Sequence, residues 1–191
     1  GILLPDGTDF RDISGDFIDS SDQEANFEEA RRILAEAGYG NGKPMPRVEL
    51  LYNNEAEEHA KIAQLVQNVW RNELGIETNL KAVEFKVRQA LGQSQQFDVM
   101  RAGWIGDYID PITFMDILIS ESENNDSRME NDRYDALIEQ ARTEVDRRKA
   151  FEYMAEAERI LMEEEVAVAP IYYYADPILA RTELVGWYRN P

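Results

Sequence analysis

Hydrophobic positions along the chain switch between the spacing of a helix and the spacing of a strand. Repeats of three and four residues predict amphipathic helices, with the apolar stripes Phe27, Ala30, Leu34 and Ala37; Ile62, Leu65, Val66 and Val69; Tyr134, Leu137, Ile138 and Ala141; and Met154, Ala157 and Leu161. A further short helix is expected over 85–95. Gly38 and Gly75 are the expected stops of the first two helices, and Asp146 is the candidate N-cap of the last one.

Short apolar runs predict strands over 47–52, 76–83, 97–102 and 166–174. The last run, VAVAPIYYY, is apolar on both alternating faces, as a strand enclosed within a sheet would be. Strands and helices alternate along the chain, which predicts an α/β domain with helices packed on the sheet. Residues 1–25 are polar and rich in Gly, Asp and Ser, which predicts an extended lead-in, and 103–130 is expected to be irregular.

Composition narrows the possible functions. The chain has 191 residues, 43% of them hydrophobic, which is enough for the core of one domain. Its formal net charge of −18 repels phosphate backbones, so nucleic-acid binding is disfavoured, although the same charge also suits ordinary solubility. Cysteine is absent, which excludes disulfides and thiolate metal sites within these residues. The first residues carry neither an initiator Met nor a signal-peptide pattern, and we expect a segment of a longer protein.

The segment RAGWIGDYIDP, residues 101–111, carries the strongest candidate chemistry. Arg101 ends an apolar strand, and ligands of open α/β folds bind at strand ends. One interpretation is an ordinary turn, in which Arg101 pairs with Asp107 while Trp104 fills the core. The other is a site for a zwitterion, in which Asp107 holds an amino group and Arg101 a carboxylate. The residues by themselves leave both open.

The same segment is part of a wider resemblance. RAGWIGDYIDPITF, followed later by VAVAPIYYYADPILAR and VGWYRNP, closely resembles the C-terminal lobe of the oligopeptide- and dipeptide-binding proteins of ABC importers, extracellular solute-binding family 5. EEARRILAEAGY, VELLYNNEAEEHAKIAQLVQNVWRNELGIETNL and FDVMRAGW precede it in matching order. The resemblance implies a periplasmic-binding-protein type II-like lobe with a mixed sheet flanked by helices. Residues 1–191 would be a single ligand-binding lobe of a larger two-lobe protein that is not an enzyme.

The resemblance also assigns roles in the loop that follows the third predicted strand. Asp107 matches the aspartate that takes the α-amino group of a bound peptide, and Arg101 matches an arginine that meets the carboxylate of a short peptide. Trp104 and Ile105 match residues that line the pocket and offer backbone groups to the peptide.

Other matched positions depart from the family pattern. His59 falls near a histidine that reaches longer peptides, although its place in the sequence by itself predicts an exposed helix start. The loop from Asn53 to His59 is one residue longer than in the oligopeptide-binding prototype, and both residues are candidate ligand contacts. Tyr174 matches a tyrosine that faces the cleft, Phe85 replaces a pocket tryptophan, and Gly92 replaces a basic ligand partner. Peptide length and side-chain preference therefore stay open.

The implied partners are a peptide, the first lobe of the same protein and the membrane permease of the importer, outside the cytoplasm in the periplasm or at the cell surface as a lipoprotein. No cofactor is implied. Two alternatives remain: the same fold with a nickel complex, haem, sugar or opine as ligand, and a hydrolase using a carboxylate pair such as Asp107 and Asp110. The oxygen-rich run 120–127 lacks the spacing of an EF-hand loop, and one histidine without cysteine gives poor metal chemistry. We therefore expect no metal site.

Overall fold

The computed structural model describes residues 2–40, 43–174, 179, 181, 183 and 186. The elements in chain order are α1 (Phe10–Ser14), α2 (Gln23–Glu36), β1 (Val48–Asn53), α3 (Glu57–Leu74), β2 (Thr78–Val83), α4 (Phe85–Gln93), β3 (Val99–Met100), α5 (Ile112–Met115), a 3₁₀ turn (Asp116–Leu118), α6 (Asp132–Thr143), α7 (Arg147–Arg159) and a π-helical turn (Ile160–Glu164). Within these described ranges, no helix combines the length and the apolar character needed to cross a bilayer.

The chain divides into two compact units, and the assignment of residues 1–191 to a single ligand-binding lobe stays a prediction. The inserted unit is Asp16–Ile105, and the discontinuous unit is Gly1–Gly15 with Gly106–Pro191. The reason is that the buried apolar residues form two separate clusters, one within each unit. Periodicity identifies which residues are apolar, but it does not assign them to one cluster or to two.

The inserted unit contains a three-stranded sheet in the order β2-β1-β3. Both pairings are parallel, from Val48↔Thr78 to Asn53↔Val83 on one side of β1 and at Leu51↔Met100 on the other. Leu51, at the centre, is completely buried. Helices of the same unit flank this sheet, so the predicted α/β class is confirmed.

Helix α3 supplies the apolar partner of the sheet, but its buried stripe differs from the predicted one. Ala63 is buried together with Leu50 and Tyr52 of β1, and Val66 packs beside them. Leu65, predicted to be part of the stripe, is 62% exposed. The helix ends where expected, because Gly75 adopts the left-handed conformation with φ 67° that favours glycine.

The discontinuous unit is built mainly from α6 and α7, and both predicted stripes are confirmed. The predicted residues that are buried in its core are Tyr134, Leu137, Ile138, Ala141, Met154, Ala157 and Leu161. Asp146 caps α7 as predicted, since its side chain accepts the backbone N–H groups of Arg148 (2.9 Å) and Lys149 (3.3 Å).

Two regions are more ordered than predicted. The extended lead-in over 1–25 is wrong at its centre, because α1 forms there with a capping box between Asp9 and Asp12. Phe10 is buried, with its ring centroid 5.4 Å from that of Phe151. The segment 103–130 contains α5, whose residue Met115 is buried in the same core. Each helix is too short to show apolar periodicity, so its sequence signal is weak.

The strand predicted at 166–174 is wrong. No strand is assigned there, and Tyr173 is 84% exposed. A strand that is apolar on both faces needs neighbouring strands and covering layers. Within the described residues, the sheet consists of β2, β1 and β3, and both of its pairings are parallel.

Candidate functional site

Several predicted site residues lie along one edge of the sheet in the inserted unit. The carboxyl ends of parallel strands share an edge, which is where open α/β folds bind ligands. Asn53 ends β1, Phe85 begins α4 two residues after β2 ends, and Arg101 follows β3. The N–H of Arg101 donates to the Leu51 carbonyl oxygen at 2.8 Å, which fixes the backbone of Arg101 to β1.

A hydrogen bond of the His59 side chain fixes the loop that follows β1. The Asn53 carbonyl oxygen lies 3.1 Å from Nδ1 of His59, and both residues are buried. Because a carbonyl oxygen only accepts, Nδ1 is the donor in this hydrogen bond. The expectation of an exposed histidine is therefore wrong: a backbone acceptor at the strand end draws the ring inward. Contact of His59 with a ligand stays a prediction.

Glu55 is a residue of this edge that the sequence analysis missed. Its carboxylate accepts a hydrogen bond from Nδ2 of Asn53 at 2.9 Å and another from the backbone N–H of Phe85. These two hydrogen bonds hold the pKa of the Glu55 carboxyl below its usual value. The bond from Asn53 has the larger effect. The first turn of α4 could have pointed to Glu55. Glu84, at the N-cap, makes no side-chain cap, so the backbone N–H groups of that turn need a hydrogen-bond acceptor from another part of the chain.

The aromatic ring of Phe85 is partly exposed and stacks against the guanidinium group of Arg88. The ring is 46% exposed, and the guanidinium carbon of Arg88 lies 5.3 Å from its centroid. Arg88 is itself buried, with Nη1 3.5 Å from Sδ of Met100. A rigid aromatic surface of this kind can pack against apolar or planar groups of many shapes.

Trp104 and Ile105 end the inserted unit and differ in exposure. Trp104 is half-buried, and its buried Nε1 has no hydrogen-bond partner among the described residues. Ile105 is 83% exposed. Arg101 also belongs to this unit and Asp107 to the discontinuous one, so the pairing of Arg101 with Asp107 stays a prediction.

Asp107 is exposed, whereas its backbone is anchored. Its N–H donates to Oγ1 of Thr113 at 3.1 Å, and Thr113 is buried within α5. Among the described residues of its own unit, the Asp107 carboxylate makes no ion pair. It therefore retains its full capacity to accept hydrogen bonds from a cation.

Asp110, three residues later, is already engaged. Its Oδ1 accepts the N–H of Ile112 at 3.0 Å, and its Oδ2 is ion-paired with Arg147. Its side chain is 16% exposed. Both carboxylate oxygens of Asp110 therefore already have partners.

A pocket of about 360 Å³ lies next to this loop within the discontinuous unit. Its lining residues are Tyr108, Asp110, Ile112, Asp116, Ala141, Arg142, Arg147 and Met154. Arg142 pairs with Asp116 at 2.9 Å, so the charged groups of the pocket neutralise each other in pairs. Tyr108 is 53% exposed, and partial desolvation first, and then the charge of Asp116, raises the pKa of its hydroxyl.

The remaining predicted positions are a tyrosine and an oxygen-rich loop. Tyr174 is 59% exposed, with its ring centroid 5.0 Å from that of Tyr172. The run 120–127 is built around buried Asn125, whose Nδ2 donates to the Met129 carbonyl oxygen at 2.8 Å, so it is not solvated throughout. In the part of the chain that the structure describes, no group of His, Asp or Glu side chains is placed to hold a metal ion.

A parallel α/β sheet with polar and aromatic side chains along its carboxyl edge is typical of a ligand-binding protein. The solved structure of the Escherichia coli murein tripeptide binding protein MppA superposes with a TM-score of 0.76 at 40% identity, over 80% of this chain and 30% of that one. The chain belongs to the bacterial extracellular solute-binding proteins, family 5, whose "Middle" profile matches residues 7–126. The predicted family and its α/β fold with flanking helices are therefore confirmed, whereas the sheet of the described residues is parallel and not mixed.

Curated relatives give the same result. The chain is 41% identical over 173 residues to the periplasmic murein peptide-binding protein MppA of Escherichia coli, covering 90% of this chain and 31% of the relative. It is 34% identical over 178 residues to the oligopeptide-binding protein OppA of Bacillus subtilis, covering 93% and 32%. The chain thus spans about a third of the length of the curated relatives it matches. These relatives are named as binding proteins for peptides, which does not favour the nickel, haem, sugar, opine or hydrolase alternatives.

Proposed function

We propose that this chain is a peptide-binding lobe of the solute-binding protein of an ABC importer, acting outside the cytoplasm. It holds the amino terminus and backbone of a peptide in a cleft that faces the first lobe of the same protein. The loaded protein then docks on the membrane permease, and the chain binds its ligand without chemical turnover.

The state of Asp107 is the observation that carries the proposal. Its carboxylate is exposed and makes no ion pair among the described residues of its unit, while its backbone is bound to Thr113. An anion that is fixed in place but not neutralised is complementary to an ammonium group, through short charge-assisted hydrogen bonds. Every peptide with a free amino terminus carries this group, so recognition does not depend on sequence.

The edge of the sheet supports the rest of the assignment. We assign Arg101 to the peptide carboxylate and the wall of the cleft to Trp104, Ile105 and Phe85. The exposed rings of Phe85 and Tyr174 offer apolar surface without a defined shape. Broad acceptance of side chains needs surface of this kind. Asn53 and His59, being buried, contribute by fixing the loop between them.

Binding without turnover is supported by the state of the acidic residues. The pair proposed for a hydrolase was Asp107 with Asp110, and Asp110 is neutralised by Arg147. The net charge of −18 supports the exclusion of nucleic acid from the ligands.

Exposed apolar side chains support the assignment to a larger protein. Ile171 is 59% exposed and Tyr173 is 84% exposed, within a run that contains no charge. Exposed apolar surface of this extent is typical of a face that another part of a protein covers. We expect the chain expressed by itself to fold but to bind peptide weakly, because one wall of the cleft would be missing.

The test uses the complete gene product that contains this chain. The purified protein is incubated with a random mixture of tri- to pentapeptides, and the retained peptides are identified by native mass spectrometry. The tightest one is then compared with its N-acetylated derivative by calorimetry, in the wild type and in Asp107→Asn. A cleft closed over the peptide would bury the pair between Asp107 and the ammonium group, so we expect the substitution to cost about 2–5 kcal/mol for the free peptide and nothing for the acetylated one.

Asp132→Asn is the matched control, because Asp132 is an exposed aspartate of the same unit in the first turn of α6. It should leave both affinities unchanged. Retention of no peptide, or equal affinity of the wild type for the free and acetylated forms, would contradict the proposed function.

A further inference from the structure

We infer that Thr113 is the positioning residue for Asp107, holding the backbone on which the peptide-binding carboxylate is mounted. This inference rests on the proposed function for its biological meaning. Thr113 does not touch the ligand in this scheme and acts only through Asp107.

Thr113 is itself rigidly placed. It is 3% exposed and lies within α5, between the buried residues Ile112 and Met115. Both neighbours belong to the apolar core of the discontinuous unit. Because close-packed core residues hold fixed rotamers, a hydroxyl on this helix has a defined direction.

The side chain of Thr113 holds two consecutive residues of the loop. Its Oγ1 accepts the N–H of Asp107 at 3.1 Å. Its methyl group packs on the other side against Gly106, where an added Cβ would lie 3.0 Å from Thr113 Cγ2 and 3.1 Å from Phe114 Cζ. A side chain at 106 would crowd Thr113 and Phe114, so glycine is favoured there by close approach and not by its backbone angles. The hydroxyl and the methyl group of Thr113 thus contact the loop at two points.

A further attachment closes the other end of the loop. Asp110 accepts the N–H of Ile112 and pairs with Arg147 of α7. The backbone on both sides of Asp107 is thus tied to α5. The Asp107 carboxylate, by contrast, is left exposed.

Fixing the backbone while leaving the carboxylate open is a form of preorganisation. Only the side-chain torsions of Asp107 remain to be ordered on binding, so little conformational entropy is lost when an ammonium group arrives. Loss of the contacts that Thr113 makes with Gly106 and Asp107 would weaken only the interactions that use the Asp107 carboxylate. That selectivity distinguishes positioning from a general loss of stability.

The experiment measures the ratio of two dissociation constants in the complete gene product: N-acetylated over free peptide, for the tightest retained peptide. Thr113→Val keeps the shape and removes the acceptor, and we expect it to lower the ratio about 3- to 10-fold, the effect of one hydrogen bond, with the acetylated affinity unchanged. Thr113→Ser keeps the hydroxyl and should retain most of the ratio. Gly106→Ala should lower it as well, and it supplies the test if Thr113→Val fails to fold.

Thr78→Val is the matched control, because Thr78 is also a buried threonine but its Oγ1 has no hydrogen-bond partner among the described residues. It should leave the ratio unchanged. An unaltered ratio in both Thr113→Val and Gly106→Ala would overturn the inference. A parallel loss of affinity for both peptides would overturn it too.

Amide hydrogen exchange separates this inference from the proposed function. The Asp107 N–H should be protected in the wild type and in Thr113→Ser, and should exchange faster in Thr113→Val. A wild-type ratio of one would refute the proposed function, and the inference would then be decided by the exchange rates. Equal exchange at Asp107 in all three proteins would refute the positioning role whatever the ratio.

Discussion

The carboxylate of Glu55, in the loop after β1, accepts the backbone N–H of Phe85, the first residue of α4. One side chain thereby joins the ends of two adjacent parallel strands. It also supplies the acceptor that the first turn of α4 lacks, since Glu84 makes no side-chain cap. Glu55 therefore stabilises the carboxyl edge of the sheet in the inserted unit, although it is not among the predicted ligand-binding residues.

This bond makes the stability of the inserted unit dependent on pH. The pKa of Glu55 is lowered by the hydrogen bonds from Asn53 and Phe85. A lowered carboxyl pKa contributes stability above the ordinary glutamate pKa near 4, and this contribution is lost as the pH falls through the lowered value. We expect Glu55→Gln to be less stable than the wild type at pH 7 in urea unfolding, and the difference to disappear as the pH falls through the lowered pKa of Glu55.

Glu57→Gln is the control, since Glu57 is exposed and, among the described residues, pairs with Lys61 one turn away. It should change stability little at either pH. A Glu55→Gln protein that matches the wild type at pH 7 would contradict this role.

A buried carboxylate attaches α1 to α7 within the discontinuous unit. Glu158 of α7 is buried, and its Oε2 accepts hydrogen bonds from Arg11 and Ser14. We expect Glu158→Gln to cost about 2–3 kcal/mol, somewhat less than a fully buried pair because Arg11 is partly exposed. Glu156→Gln removes an exposed pair with Arg133 and should cost less than about 1 kcal/mol. Equal costs in thermal unfolding would show that burial of Glu158 is unimportant.

Two leucines of the inserted unit test its core. Leu51 is completely buried in the central strand, and Leu65 of α3 is 62% exposed. We expect Leu51→Ala to cost about 3 kcal/mol, through lost burial and the cavity that remains, and Leu65→Ala less than about 0.5 kcal/mol. Denaturant unfolding of both variants measures this difference, and comparable costs would place the core elsewhere.

Thr78 is a site where a substitution should stabilise the protein. It is 4% exposed at the start of β2, and its Oγ1 has no partner among the described residues. Thr78→Val removes this unsatisfied group and adds a residue that suits a strand, so we expect a gain of about 1 kcal/mol. A loss of stability would indicate that a bound water satisfies the hydroxyl.

The sequence predicts elements whose signals are local. The stripe of α6, the Asp146 cap of α7 and the Gly75 stop of α3 each depend on a few neighbouring residues, and all three are confirmed. Leu65 is apolar yet exposed, because which face of α3 is buried depends on where the sheet lies. A run such as 166–174 can form a strand only if other strands lie beside it, which a local pattern does not report.

The residues of the candidate site also divide into those that the sequence identifies and those that only the structure reveals. The resemblance identifies Asp107, but not Thr113, which is six residues away and holds it through a backbone hydrogen bond. It points to Asn53 and Phe85, but not to Glu55, which joins them. Residues of this kind are set by geometry, since many side chains at those positions would fit the same hydrophobic pattern.

The open apolar run at 166–174 also affects how the chain behaves when it is handled by itself. Ile171 and Tyr173 are 59% and 84% exposed, and apolar surface that is open to solvent can associate with the same surface of a second molecule. Self-association should therefore increase with concentration in sedimentation experiments, and dilute solutions would be the conditions in which to study the separate chain.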